Sequence, residues 1–186
     1  MNTMITSKEE ILKASRELIR QKGWETVNIR AVAAACGVSV GAIYYYFDSK
    51  AELTGAAVAS IWQEIFHLPD DVPPPADTKT CILWICERIK EGNEKYPGFF
   101  TLHSLGFLGE EKADGKHRMQ KTWHHILDIL TFVIRQDPNI RPDTFTEQFT
   151  PEKFADVLFS WLLAALLRQD YDPYAILEVT QRTLYQ

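Results

Sequence analysis

Apolar residues recur every three to four positions through most of this chain, a period that predicts an all-α fold of about nine helices. Ile11, Ala14, Leu18 and Ile19 form the first stripe. Ser7 and Glu10 stand before it at capping-box spacing, and Gly23 ends the helix after Lys22. A second helix opens at Asn28, whose side chain can accept from an orphan backbone N–H, and carries Ile29, Val32, Ala33 and Cys36 at helical spacing. Gly37 follows, where a left-handed cap needs a residue without Cβ. Val38 is an apolar plug for the turn, and Ser39 caps a third helix running from Val40 to about Phe47. Two short helices around so tight a turn read as a helix-turn-helix, whose second helix has the dimensions to enter a DNA major groove.

A fourth helix is expected from Ser49, which with Glu52 has capping-box spacing, to about Phe66. It bears two apolar rows, Leu53, Ala57 and Ile61 beside Val58, Trp62 and Phe66, so it needs two buried sides: the head at one end, a second domain at the other. Pro69, Pro73, Pro74 and Pro75 then break the chain. The expected division is a head over residues 1–48 and a body over 49–186, with 49–67 as the connecting helix. In the body, helices are expected over Asp77–Tyr96, Pro97–Leu108, Glu110–Arg135 and Pro151–Arg168, with a last one opened by Asp172 and Pro173. The Pro151–Arg168 helix again carries two stripes, and its small Ser160 and Ala164 permit close approach of another helix. Either it is central to the monomer or it is sandwiched with a partner chain. The second reading makes Phe159, Ser160, Leu163, Ala164 and Leu167 a dimer interface.

The segment GVSVGAIYYYFDSKAEL resembles the DNA-binding head of the TetR family of bacterial transcriptional repressors. The matching residues are Asn28, Val32, Ala33, Cys36, Gly37, Val38, Ser39, Gly41, Ile43, Tyr44, Tyr46, Phe47 and Lys50. Asn28, Cys36, Ile43 and Tyr46 stand where the family usually has Thr, Ala, Leu and His. The resemblance covers about the first third of the chain. It implies a three-helix head on a helical body that binds a small inducer and dimerises through its two final main helices. Candidate DNA contacts are Asn28, Arg30, Ser39, Val40, Gly41, Tyr44, Tyr45, Tyr46 and Lys50. Gly41 and Ala42 have almost no side chain and let the helix sit deep in the groove. Val40, where many relatives carry a polar or basic residue, offers a methyl surface that suits a thymine methyl. Tyr44 and Tyr46 bind phosphate through their hydroxyls by resemblance, with some of these aromatics as core in the alternative. Lys50 and Asn28 mark helix starts where a phosphate is stabilised.

Charge adds nothing to this picture. The chain of 186 residues has a formal net charge of −5. Its first 67 residues hold seven basic and seven acidic groups, so the whole excess lies in the body. DNA binding is therefore inferred from the motif, with contacts leaning on hydroxyls and backbone amides as well as cations. The first residues lack the apolar core of a signal peptide, and the most apolar run, Phe154–Leu167, falls short of the ~20 residues of a membrane span. Three cysteines without a framework fit a reducing compartment, so a cytoplasmic protein with no membrane partner is expected.

In the body, Trp84, Phe100, His103, Phe107, Met119, Trp123 and His124 are candidates for a ligand pocket, or equally for ordinary core. His117 and His124 lie two turns apart, too far for one ion unaided, and no metal motif occurs, so neither metal nor cofactor is expected. With no nucleophile–base pair, paired carboxylates or phosphate loop, an enzyme is not expected. The sequence thus points to a ligand-responsive regulator, a homodimeric repressor on a pseudo-palindromic operator of double-stranded DNA, released by a small-molecule inducer. The alternative is a ligand-independent or partner-regulated DNA binder.

Overall fold

The computed structural model describes residues 6–68, 72–100 and 113–186, with the side chains of the last stretch described from Trp123 onward. Among the described residues there are eight α-helices and no strand: α1 Lys8–Lys22, α2 Ile29–Cys36, α3 Val40–Tyr46, α4 Lys50–Ile65, α5 Thr78–Lys95, α6 Ala113–Gln136, α7 Pro151–Arg168 and α8 Tyr174–Thr180. A 3₁₀ turn at Trp24–Thr26 and a π turn at Gln181–Tyr185 complete them. Of the helix expected over 97–108, only 97–100 are described. Phe99 and Phe100 begin a helical turn there, and both are buried.

The helix starts sit where the side chains dictate. Ser7 accepts from the Glu10 N–H at 3.1 Å, and Glu10 accepts from the Ser7 N–H at 2.8 Å, closing the capping box. Asn28, Ser39, Ser49, Asp77 and Thr150 each accept from a backbone N–H three residues on. At α4 the box is displaced: Ser49 caps Glu52, and the Glu52 carboxylate accepts from the Asp48 N–H at 2.7 Å. Gly37 ends α2 at φ 66°, a left-handed conformation that costs an L-residue roughly 1–2 kcal/mol.

The head is α1 to α3. α1 packs on α2 and along α4, and α2 packs on α3. Ile11, Val32, Ile43, Phe47 and Leu53 are fully buried between them. α4 then runs into the body, where it meets α5 and α6. Both its expected rows are buried, because the helix packs against the head as well as the body. The 3₁₀ turn, which the hydrophobic periodicity does not predict, aims Trp24 at Phe99, with ring centres 6.4 Å apart. Phe99 and Phe100 pack on Trp62 of α4, which stacks on Phe66. The head thus meets the body through a continuous aromatic cluster. Beside it, Glu64 of α4 pairs with Arg16 of α1 at 2.8 Å and Lys95 of α5 at 2.5 Å, and accepts from the Tyr96 hydroxyl at 3.0 Å.

α6 and α7 form an antiparallel pair, as the Trp123–Phe159 ring contact at one end and the Arg135–Glu152 ion pair at the other require. At the end of α6, buried Asp137 accepts from Thr78 N–H and Oγ1, both at 2.9 Å, from Asn139 N–H at 3.0 Å and from the Tyr185 hydroxyl. Burial pushes this carboxyl up, but those four donors outweigh it and hold it below the usual carboxylate range. One side chain so ties the start of α5, the end of α6 and the C-terminal π turn together.

Candidate nucleic-acid interface

α2 and α3 meet at 105°, within the range of helix-turn-helix units. The angle follows from the left-handed Gly37, the Val38 N–H bonded back to the Ala33 carbonyl at 3.0 Å, and the Ser39 cap. Ile43 and Phe47 are fully buried, which fixes the rotation of α3 about its axis. Its other side faces outward: Val40 is 39% exposed, Tyr44 50% and Tyr45 83%. Ser39 and Gly41 are also exposed. A Cβ added to Gly41 would meet nothing closer than Ser39 Oγ at 3.8 Å. Arg30 near the start of α2 and Lys50 at the start of α4 are exposed as well.

Two of the expected DNA contacts have their polar atoms engaged within the head. The Asn28 carbonyl oxygen accepts from Ala31 N–H at 3.0 Å and its amide donates to the Thr26 carbonyl at 3.1 Å, which leaves one amide N–H for a further partner. The Tyr46 hydroxyl donates to the Thr6 carbonyl at 2.6 Å, pinning the entry of α1 to the end of α3. Its half-buried ring packs against the core and edge-on to Tyr45, 5.0 Å between centres. Lys8, which no sequence motif marks, lies with its ammonium over the Phe47 ring, 5.2 Å from the centre. Its place in the first turn of α1 is legible, but the contact joins residues 39 positions apart, beyond any local pattern.

Of the expected pocket residues, four have described side chains. Trp84 packs edge-on to Phe66 and Phe100 is buried against Trp62, so both belong to the head–body cluster. Trp123 packs on Phe159, and His124 is exposed. His103 and Phe107 lie outside the described residues, as does the side chain of Met119. A void of about 10 Å³ lies between Ile82, Ile85, Leu130, Leu158, Trp161 and Leu162, the room of one water molecule. Of the expected interface residues, Phe159 is 7% exposed and turned into the chain's own core against Trp123, because α6 covers that side of α7. Ser160 and Leu167 are exposed, Leu163 and Ala164 half-buried. Among the described residues no cluster of metal-binding side chains occurs, and no single helix is long and apolar enough to cross a membrane.

Comparison with known proteins converges on the head. The family model of bacterial regulatory proteins, tetR family, matches residues 11–57. Over 87 residues the chain is 36% identical to an uncharacterised HTH-type transcriptional regulator of Lactococcus lactis subsp. lactis, an alignment that spans 42% of this chain and 43% of that one. Two solved structures share the fold. The regulator FadR from Bacillus subtilis, in complex with stearoyl-CoA, superposes with a TM-score of 0.65 at 17% identity over 95% of this chain and 96% of its own. BioQ with its double-stranded DNA operator gives 0.57 at 16% identity over 95% and 91%. With Gly37, Ser39, Gly41, Tyr44 and Lys50 at their fixed offsets on this geometry, residues 11–57 are a helix-turn-helix head of the kind that the tetR family of bacterial regulatory proteins carries.

Proposed function

We propose that the protein is a DNA-binding transcriptional regulator, a homodimeric repressor whose α3 helices enter successive major grooves of a pseudo-palindromic operator. The observation that carries this reading is Gly41. A glycine inside a helix costs about 1 kcal/mol relative to alanine, and here neither φ nor crowding within the chain calls for one. A bare backbone on the exposed side of α3 is useful to something that approaches from outside. DNA at the floor of a groove is such a partner, and exposed Tyr44, Arg30 and Lys50 of the same head are groups able to hold phosphates. The like-folded BioQ, solved on its operator, supports the same docking.

The dimer is proposed through the outer side of α7 and α8. Val157 and Leu167 are 49% and 50% exposed on α7 and Val179 is 48% exposed on α8, large apolar side chains that a second copy would cover. Release from DNA is proposed through the body. A molecule entering between α4, α5 and α6 would reset α4, the one helix shared by both halves, and with it the spacing of the two heads. The complex of FadR with stearoyl-CoA supports a small molecule binding to a like-folded protein.

The test is Gly41→Ala, measured for stability and for binding to duplex DNA from the gene's own upstream region. The variant is expected to be as stable as the parent or more so, by up to about 1 kcal/mol, and to bind the duplex at least tenfold more weakly. Lys50→Ala alongside should flatten the salt dependence, by about 0.9 in log–log slope for each phosphate left without its cation. Unchanged affinity in Gly41→Ala would refute a groove-facing α3.

A further inference from the structure

Helix α3 carries none of the side chains that read bases in pairs of hydrogen bonds. From Ala31 to Phe47 there is no Arg, Lys, Asn, Gln, Asp or Glu. Guanine is read bidentately by Arg or Lys, adenine by Asn or Gln, and cytosine through an acid, so α3 has no such reader for any of them. The hydroxyls that remain are partly committed. Ser39 Oγ accepts from Ala42 N–H at 3.2 Å and keeps one proton, while the Tyr46 hydroxyl is bound to the Thr6 carbonyl. Tyr44 and Tyr45 are free to turn outward, but a single phenol both donates and accepts, so it matches every base edge and selects none strongly. What α3 presents at its exposed N-terminal turn is hydrocarbon: the Val40 isopropyl group, 39% exposed, next to the open backbone at Gly41.

Only one base carries an apolar group in the major groove, the C5-methyl of thymine. We infer that Val40 is a specificity-determining residue that reads a thymine methyl, and that the operator half-site is distinguished through that methyl in place of a bidentate hydrogen bond. This rests on the operator-binding function proposed above. Close approach at Gly41 brings Val40 near enough for the methyl to be buried, and the cations Arg30 and Lys50 lie outside α3, on either side of this stretch in sequence.

The experiment separates the two readings. A duplex is first selected from a random pool by the full-length protein. Each thymine of its half-site is then replaced singly by deoxyuridine, which lacks the methyl but keeps the same pairing and the same O4 acceptor. One or two positions are expected to lose about fourfold in affinity, the worth of one buried methyl. In Val40→Ala the loss at that position should shrink clearly below the parent's, because the alanine methyl reaches less far toward the thymine methyl, while binding remains saturable. Uracil tolerated at every position, or a penalty equal in parent and Val40→Ala, would overturn the assignment and leave the operator-binding reading standing. Failure to enrich any duplex would overturn both.

Discussion

Glu64 is where head and body are joined by charge, and its removal has a calculable cost. Its side chain is 33% exposed, that of Arg16 20% and that of Lys95 53%. The Lys95 pair is well solvated and contributes about 0.5 kcal/mol or less. The less exposed Arg16 pair, at 2.8 Å, contributes about 1 kcal/mol. The Tyr96 hydroxyl, on a residue that is 2% exposed, donates to the carboxylate at 3.0 Å and contributes about 1–1.5 kcal/mol. The three share one carboxylate and do not add fully, so Glu64→Ala should cost about 2 kcal/mol. For a chain of this size that is a fall in Tm of roughly 4–8 °C, compared at equal protein concentration. Glu64→Gln keeps an acceptor for Tyr96 and should cost about 1 kcal/mol. The assay is urea unfolding followed by tryptophan fluorescence, for which Trp24 and Trp62 at the junction are reporters. Acidity gives a second check. Burial raises the Glu64 carboxyl, but the bonds from Lys95 and Tyr96 and the charge of Arg16 outweigh it and leave it lowered. A group depressed in the folded state stabilises above its unfolded value, about 4.3 for glutamate, and loses that contribution as pH falls through the folded value. The gap between parent and Glu64→Gln should therefore be complete at pH 7 and close below about pH 4. A Glu64→Ala protein within about 0.5 kcal/mol of the parent, or a gap that widens on acidification, would refute the argument.

Substituting Lys for both Val157 and Leu167, each about half exposed, should leave the folded monomer intact yet shift sedimentation from dimer to monomer. A dimer that persists would place the interface elsewhere. Burial pushes the Cys81 thiol up to about 12 and the Cys86 thiol up to about 11. In the native protein at pH 8, iodoacetamide should therefore modify half-buried Cys36 first and leave Cys81 intact until urea exposes it, since the thiolate fraction of Cys81 is about 10⁻⁴. Mass spectrometry showing Cys81 alkylated as fast as Cys36 would contradict its burial.

What the chain determines by itself is what is settled within three or four residues. The Ser7–Glu10 box, the Asn28 and Ser39 caps and the left-handed Gly37 are bonds or dihedrals between near neighbours, so composition at fixed offsets dictates them. The outward side of α3 was legible for the same reason, because Ile43 and Phe47 claim the core and leave Val40, Gly41 and Tyr44 outside. The tertiary structure alone decided which partner each remaining side chain meets. Tyr46 binds the Thr6 carbonyl 40 residues away, and Asp137 caps Thr78 across 59. Trp84 and Phe100 entered the head–body cluster, and Phe159 turned inward onto Trp123. Helical periodicity marks a side as apolar without naming what covers it, and a core residue, a pocket wall and a dimer contact all meet that one requirement of leaving water.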